Sequence, residues 1–327
     1  MAGNGGARSR RHVAVAFVHG IFTNDPLFAD DMKKGLRARL GELAAFVDFE
    51  SVYWAHHVRG QQDNFMTRVQ AKSQIADGIL RRAVIQGLGD AAAYQKTKKR
   101  KNSIYYDVQD EVSRTLVRFN QLPKDSPLIF IGHSLGSHII STYAWDLNKM
   151  KQRDLHQHDA VAQHKSERDN DEDEDARLRA TLRAASPLCR LDTLAGLVTF
   201  GSNIPLFTFT FGPQGIFPIT RAPEDDGGNA LGAPAFPGPA LPPALREKAR
   251  WLNFYSERDV LGFPLKALND YFDGEARIED VCVQKETPLS RWFPYLYCYQ
   301  AHVCYWKHQI VLDRTADLIR DMVETPS

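Results

Sequence analysis

The chain has 327 residues, 43% hydrophobic and 25% charged, and its 41 Lys and Arg against 40 Asp and Glu leave a formal charge of +1. That balance excludes a global field favouring nucleic acid or an anionic membrane, and no run of about eighteen apolar residues marks a spanning helix. The start MAGNGGARSRR has no apolar core behind it, and four cysteines lack disulfide-rich spacing, so a globular protein in a reduced, cytoplasmic setting is expected.

In chain order, His12–Val18 (HVAVAFV) is a continuous apolar run and reads as a buried parallel strand. It ends in His19-Gly20-Ile21-Phe22. Asn24-Asp25-Pro26 predicts a helix through about Leu43. Ala45–His56 alternates and is rich in Val, Phe, Tyr and Trp, which predicts a strand. His56 and His57 at its end read as polar residues at a strand exit, because no carboxylate or cysteine stands beside them at metal-site spacing. Gly60–Lys101 reads as helical and laid on the surface, with Lys96–Lys101 a solvated basic loop. Tyr105–Asn120 places Val108, Val112, Leu116 and Phe119 at helical spacing.

The stretch Ser126–Ala144 (SPLIFIGHSLGSHIISTYA) organises the rest. A β-branched apolar run stops at Gly132-His133-Ser134-Leu135-Gly136, and helical spacing of Ile139, Ile140, Tyr143 and Leu147 follows at once. Strand, tight turn with a central serine, then helix is a nucleophile elbow. The turn lifts the Ser134 hydroxyl clear of the sheet. A side chain at 132 or 136 would collide with the neighbouring strand or the helix. The Leu135 N–H, at a helix N-terminus, points where an oxyanion would form. With an elbow present, His19-Gly20 reads as the turn that brings a second donor, the N–H of Ile21 or Phe22, to the same place. His133 and His138 read as packing residues.

Beyond the elbow helix, 149–179 is polar and charge-dense and reads as a surface insertion. Leu194–Phe200 is another buried strand. The segment 203–248 is aromatic and then Pro/Gly-rich, as a flap or lid would be. Its Phe207, Phe209 and Phe211 either line an apolar substrate pocket or extend the core. Trp251–Ser256 and Ile278–Val283 are the last two strands, and about Val311–Val323 a final helix.

Serine is a weak nucleophile until a base takes its proton and a third group orients that base. On this architecture the order along the chain is serine, acid, histidine. Asp259 lies just past Trp251–Ser256 and His302 beyond Ile278–Val283. Glu257 is the competing acid and His308 the competing base. Cys298, His302, Cys304 and His308 lack the paired spacing of a zinc site, and no metal or cofactor is expected.

WLNFYSERDVLGFPLKALNDYF, IEDVCV and AHVCYW, with GHSLGS and VTFGSNIPLF, resemble a family of largely uncharacterised bacterial α/β-hydrolases. That family pairs Asp-Val-x-Gly-aromatic-Pro-Leu with a later His-x-x-Tyr-Trp. The resemblance covers most of the chain except the insertion and the Pro/Gly loop, and it implies Asp259 as acid and His302 as base. Asn203 departs from it, since proline is the family's residue after Gly-Ser. The expectation is a single α/β-hydrolase domain over 1–327, mostly parallel and doubly wound. Its expected activity is a Ser134–His302–Asp259 serine hydrolase of esterase or lipase type, acting on a small-molecule ester or lipid. A non-catalytic scaffold on the same fold, or an amidase or peptidase with the same triad, stands as the alternative.

Overall fold

The computed structural model describes residues 10–72, 79–97, 102–160, 185–207, 235–268, 277–285 and 300–326. Its strands are β1 (Val13–Val18), β2 (Val47–Val52), β3 (Leu128–His133), β4 (Leu194–Phe200), β5 (Arg250–Ser256) and β6 (Ile278–Gln284). They form one sheet in the order β2-β1-β3-β4-β5-β6, and every neighbouring pair is parallel. The expected mostly parallel sheet is therefore wholly parallel among the described strands. β1, β3 and β4 are buried along their whole length, which is why they read as unbroken apolar runs.

Parallel neighbours need crossovers, and helices supply them. They are α1 (Asp30–Leu40), α2 (His56–Lys72), α3 (Ile79–Ala93), α4 (Ile104–Val117), α5 (Leu135–Ala160), α6 (Ile204–Phe207), α7 (Pro243–Lys248) and α8 (Gln309–Glu324). Side chains alternate across the sheet, so each central strand feeds two cores. Ala14, Ala16 and Phe130 meet Val108, Val112, Ile139 and Ile140 of α4 and α5 on one face. Val13, Val15 and Ile131 meet Met32, Leu36, Leu318 and Ile319 of α1 and α8 on the other. Each of these larger side chains contributes about 1.5–3 kcal/mol on burial.

Three expectations change. The first helix starts at Asp30, not at Asn24, because Asp25 Oδ1 accepts the Leu27 N–H at 2.9 Å and closes a local turn instead. Residues 60–101 are not simply laid on the surface: α2 starts at His56, and Gly87, Asp90 and Tyr94 at the end of α3 are buried. The charged stretch from 149 begins as a continuation of α5 to Ala160, while 161–179 lies outside the described residues.

Register brings the strand ends level. Val18 pairs with Gly132, His133 with Phe200, and Phe200 with Phe254. The residues that follow these strands therefore gather at one carboxyl edge, the edge where open α/β sheets place their sites.

Candidate active site

Ser134 sits between β3 and α5 at φ 52, a left-handed conformation that non-glycine residues rarely adopt. Its N–H donates to Phe200 O at 3.0 Å, and its carbonyl accepts the Ser137 N–H at 2.9 Å, which closes the first turn of α5. The flanking glycines are required by space. A Cβ on Gly136 would stand 2.3 Å from Val18 O and 2.7 Å from His19 O, and one on Gly132 would stand 2.6 Å from Ile140 Cδ1. This strand–turn–helix on an all-parallel, helix-covered sheet is the core of the α/β-hydrolase fold.

Asp259 and His302, 43 positions apart, meet at the neighbouring strand ends. His302 Nδ1 lies 2.9 Å and 3.0 Å from the two Asp259 carboxylate oxygens. A carboxylate only accepts, so Nδ1 carries the proton and Nε2 presents its lone pair. Tyr305 OH donates to Asp259 Oδ2 at 2.9 Å, and the Leu261 N–H to Oδ1 at 3.0 Å. Burial pushes the Asp259 carboxyl up, but the bonds and charge from His302, Leu261 and Tyr305 outweigh it and hold the group below its ordinary range. The loop carrying the acid is tied down by Asn253 of β5, whose Nδ2 donates to Phe263 O at 3.0 Å and to Asp280 Oδ1 of β6 at 2.7 Å.

The Phe200–Gly201 junction stands between serine and imidazole. Phe200 O holds the Ser134 N–H, and a Cβ on Gly201 would lie 3.2 Å from His302 Nδ1. His133, beside the serine, donates from Nε2 to His302 O at 2.7 Å, and the two rings are 4.8 Å apart. Burial and then the His302 charge push His133 down to about 3, so it stays neutral. Ser134 is fully buried, and His302 is 4% exposed. Ser134 Oγ and His302 Nε2 have no hydrogen-bond partner among the described residues, so they are not bonded to each other here.

The loop after β1 passes directly over the serine, for a Cβ on Gly20 would stand 2.6 Å from Ser134 Cβ. His19 governs its course. The Trp54 N–H donates to His19 Nε2 at 3.1 Å, so Nδ1 carries the proton and donates to Gly20 O at 2.7 Å. Trp54 also stacks on the ring at 4.7 Å and donates from Nε1 to His19 O at 2.9 Å. Burial is the main cause that pushes His19 down to about 3. Because a trans peptide opposes its C=O and N–H, pinning Gly20 O turns the Ile21 N–H the other way.

A cavity of about 540 Å³ opens beside this loop. Ile21, Phe22 and Leu261 line one side, Leu88 and Ala91 of α3 another, and Leu206 and Phe207 of α6 a third. Phe207 also stacks on His138 at 3.9 Å. Phe209 and Phe211 lie outside the described residues, as does Cys298.

The competitors stand elsewhere. Glu257 is exposed, and His308 marks the start of α8. One expectation is corrected: a carboxylate does stand beside His56 and His57. Glu111 arrives from α4, and one ligand atom from each of the three lies within 4.8 Å of the others. Glu111 also pairs with Arg114 at 3.1 Å. Sequence reasoning missed Trp54 and the bond from Tyr305 to the acid. Only Tyr305 had a local signal, its place three residues after His302.

No protein-family model and no curated protein sequence matches the chain. Among solved structures it is similar to Est1E from Butyrivibrio proteoclasticus, at 8% identity and TM-score 0.39, covering 96% of this chain and 89% of that one. It is also similar to an esterase domain from a Rhodothermus marinus protein (10%, 0.34, 95% and 86%). A thermophilic esterase from Thermogutta terrifontis gives 12%, 0.34, 96% and 92%. Likeness this slight carries no activity from those proteins to this one. Among the described residues no helix is long and apolar enough to cross a membrane.

Proposed function

We propose that the chain is a serine hydrolase that cleaves carboxylic esters, with Ser134 as nucleophile, His302 as base and Asp259 as the acid that orients it. One observation carries the reading. Asp259 grips His302 Nδ1 with both oxygens, which leaves Nε2 buried and unpartnered, and on the elbow, whose His133 ring lies 4.8 Å from that of His302, the Ser134 hydroxyl is also buried and unpartnered. Catalytic hydrogen bonds are often open before substrate binds and close in the complex.

In this mechanism Ser134 Oγ attacks the acyl carbon as its proton passes to His302 Nε2. The oxyanion accepts from the N–H group of Leu135 and from that of Ile21 or Phe22. Its collapse expels the alcohol, which takes the proton back from His302, and leaves the acyl group on Ser134. Water then repeats the sequence and releases the carboxylic acid. Asp259 stabilises the imidazolium throughout without taking its proton. The apolar cavity beside Ile21 and Phe22 fits an apolar acyl chain, with Phe207 in its wall.

The test is hydrolysis of p-nitrophenyl esters by the wild type and Ser134→Ala. The variant is expected to keep a native melting curve and lose turnover to the level of the buffer. Turnover equal to the wild type would refute the assignment.

A further inference from the structure

Two imidazoles and a carboxylate converge where α2 begins. His56 and His57 open that helix, and their rings lie 3.9 Å apart. Glu111 reaches them from α4, and one donor atom from each of the three lies within 4.8 Å of the other two. Among the described residues no other group of three His, Cys, Asp or Glu side chains brings its donor atoms together in this way.

The separations suit an ion between the groups better than a direct bond. His57 Nε2 stands 3.8 Å from Glu111 Oε2, too far for a hydrogen bond, and it is buried with no other hydrogen-bond partner. Zinc bonds of about 2.0–2.1 Å at a tetrahedral angle set two ligand atoms roughly 3.3 Å apart, so this pair needs to close by only about half an ångström. The side chains of His57 and Glu111 are 17% and 14% exposed, whereas His56 is exposed. The site is therefore walled on the His57 side and reachable by solvent on the His56 side. Burial and then the His56 charge push His57 below its ordinary range, against the pull of Asp107 and Glu111, and Arg114 adds to the push. A neutral imidazole is the form that binds a metal. Arg114 Nη2 lies 3.1 Å from the same Glu111 Oε2 and competes for it, but its side chain is 60% exposed and can turn into solvent.

We propose that His56, His57 and Glu111 form a zinc site, with water as the fourth ligand, that clamps the start of α2 to α4. Two imidazole nitrogens and one carboxylate oxygen suit zinc, whereas magnesium and calcium take oxygen ligands. The clamp sits two residues past Trp54, the residue that stacks on His19 and donates to it. The inference stands apart from the ester-hydrolase reading and holds whether or not Ser134 is a nucleophile.

The experiment strips the full-length chain with a chelator, removes the chelator, and titrates Zn2+ by calorimetry, with a thermal melt before and after. The wild type is expected to bind one equivalent and to melt higher with zinc, because an ion that binds only the folded chain stabilises it. Glu111→Gln and His57→Ala should each weaken that event by about 100-fold or more, since losing even an outer partner of a metal costs about 10- to 100-fold. His56→Ala changes an exposed residue, so it keeps the test decisive if His57→Ala does not fold. Arg114→Ala should bind about two- to fivefold tighter, the worth of one exposed ion pair. The histidines at 156, 158 and 164 in the charged stretch are a second place where zinc could bind. Replacing all three by glutamine should leave the one-equivalent event in place. No binding by the wild type, binding that Glu111→Gln and His56→Ala leave unchanged, binding no tighter in Arg114→Ala, or binding that disappears with those three histidines would overturn the proposal.

Discussion

Replacing Tyr305 by phenylalanine removes one hydroxyl and tests whether the buried acid is held by its neighbours. Tyr305 is fully buried and Asp259 is 5% exposed, so water does not replace the lost donor. The carboxylate keeps His302 and the Leu261 N–H and loses the 2.9 Å bond at Oδ2. A hydrogen bond to a charged group contributes about 1.5–3 kcal/mol, and that is the expected loss in unfolding free energy at pH 7. The sign with pH follows from linkage. The folded-state pKa of Asp259 is depressed, so its contribution is present above the unfolded value and is lost as pH falls through the folded one. Below that point the carboxyl is neutral in both proteins, and the difference should shrink to the roughly 1 kcal/mol of a neutral hydrogen bond. Urea unfolding followed by tryptophan fluorescence, at pH 7 and at the lowest pH where both proteins fold, measures both values. A loss under 0.5 kcal/mol at pH 7 (roughly the floor for one bond), or a loss that grows on acidification, would refute the account of how the acid is held.

Two further perturbations test the local physics. Gly136→Ala forces a methyl against two backbone carbonyls that cannot rotate away, so overpacking should cost about 1–3 kcal/mol in thermal or urea unfolding. A variant as stable as the wild type would show that the elbow relaxes freely. Asp90→Asn should gain stability relative to the wild type as pH rises. The folded wild type holds the Asp90 proton longer than the unfolded chain does, so its stability falls between pH 4 and about 6 while the amide's does not. Raising a carboxyl from 3.8 to about 6 corresponds to a relative gain of up to about 3 kcal/mol above that window, with Arg59 the charge that faces it. A flat difference across that range would refute the cost assigned to burying Asp90.

The six strands and the elbow were legible because their signals are local. A buried parallel strand needs an unbroken apolar run, and a serine at a strand–helix turn needs small residues on both sides. That Asp259 and His302 meet was legible for a weaker reason, the order in which a carboxylate and a histidine follow the elbow. The start of α1 was misjudged because Asp25 competes for the backbone within its own turn, and proline spacing carries no record of that competition. Phe207 is found in the wall of a cavity and stacked on His138, packed against the core.

Along the chain alone, the residues dictated a parallel α/β sheet, the turn that carries Ser134 and a short list of partners for it. Tertiary structure decided the rest. It brought Asp259, and not the exposed Glu257, against His302. It supplied Tyr305 to the acid and Trp54 to His19, and it set Arg59 on the loop above the serine. The physical reason is range. Backbone propensity and apolar spacing act over a few residues, whereas a guanidinium on α2 acquires its carbonyl only when the fold has brought residue 23 to residue 59. Nothing in the residues around either position encodes that meeting.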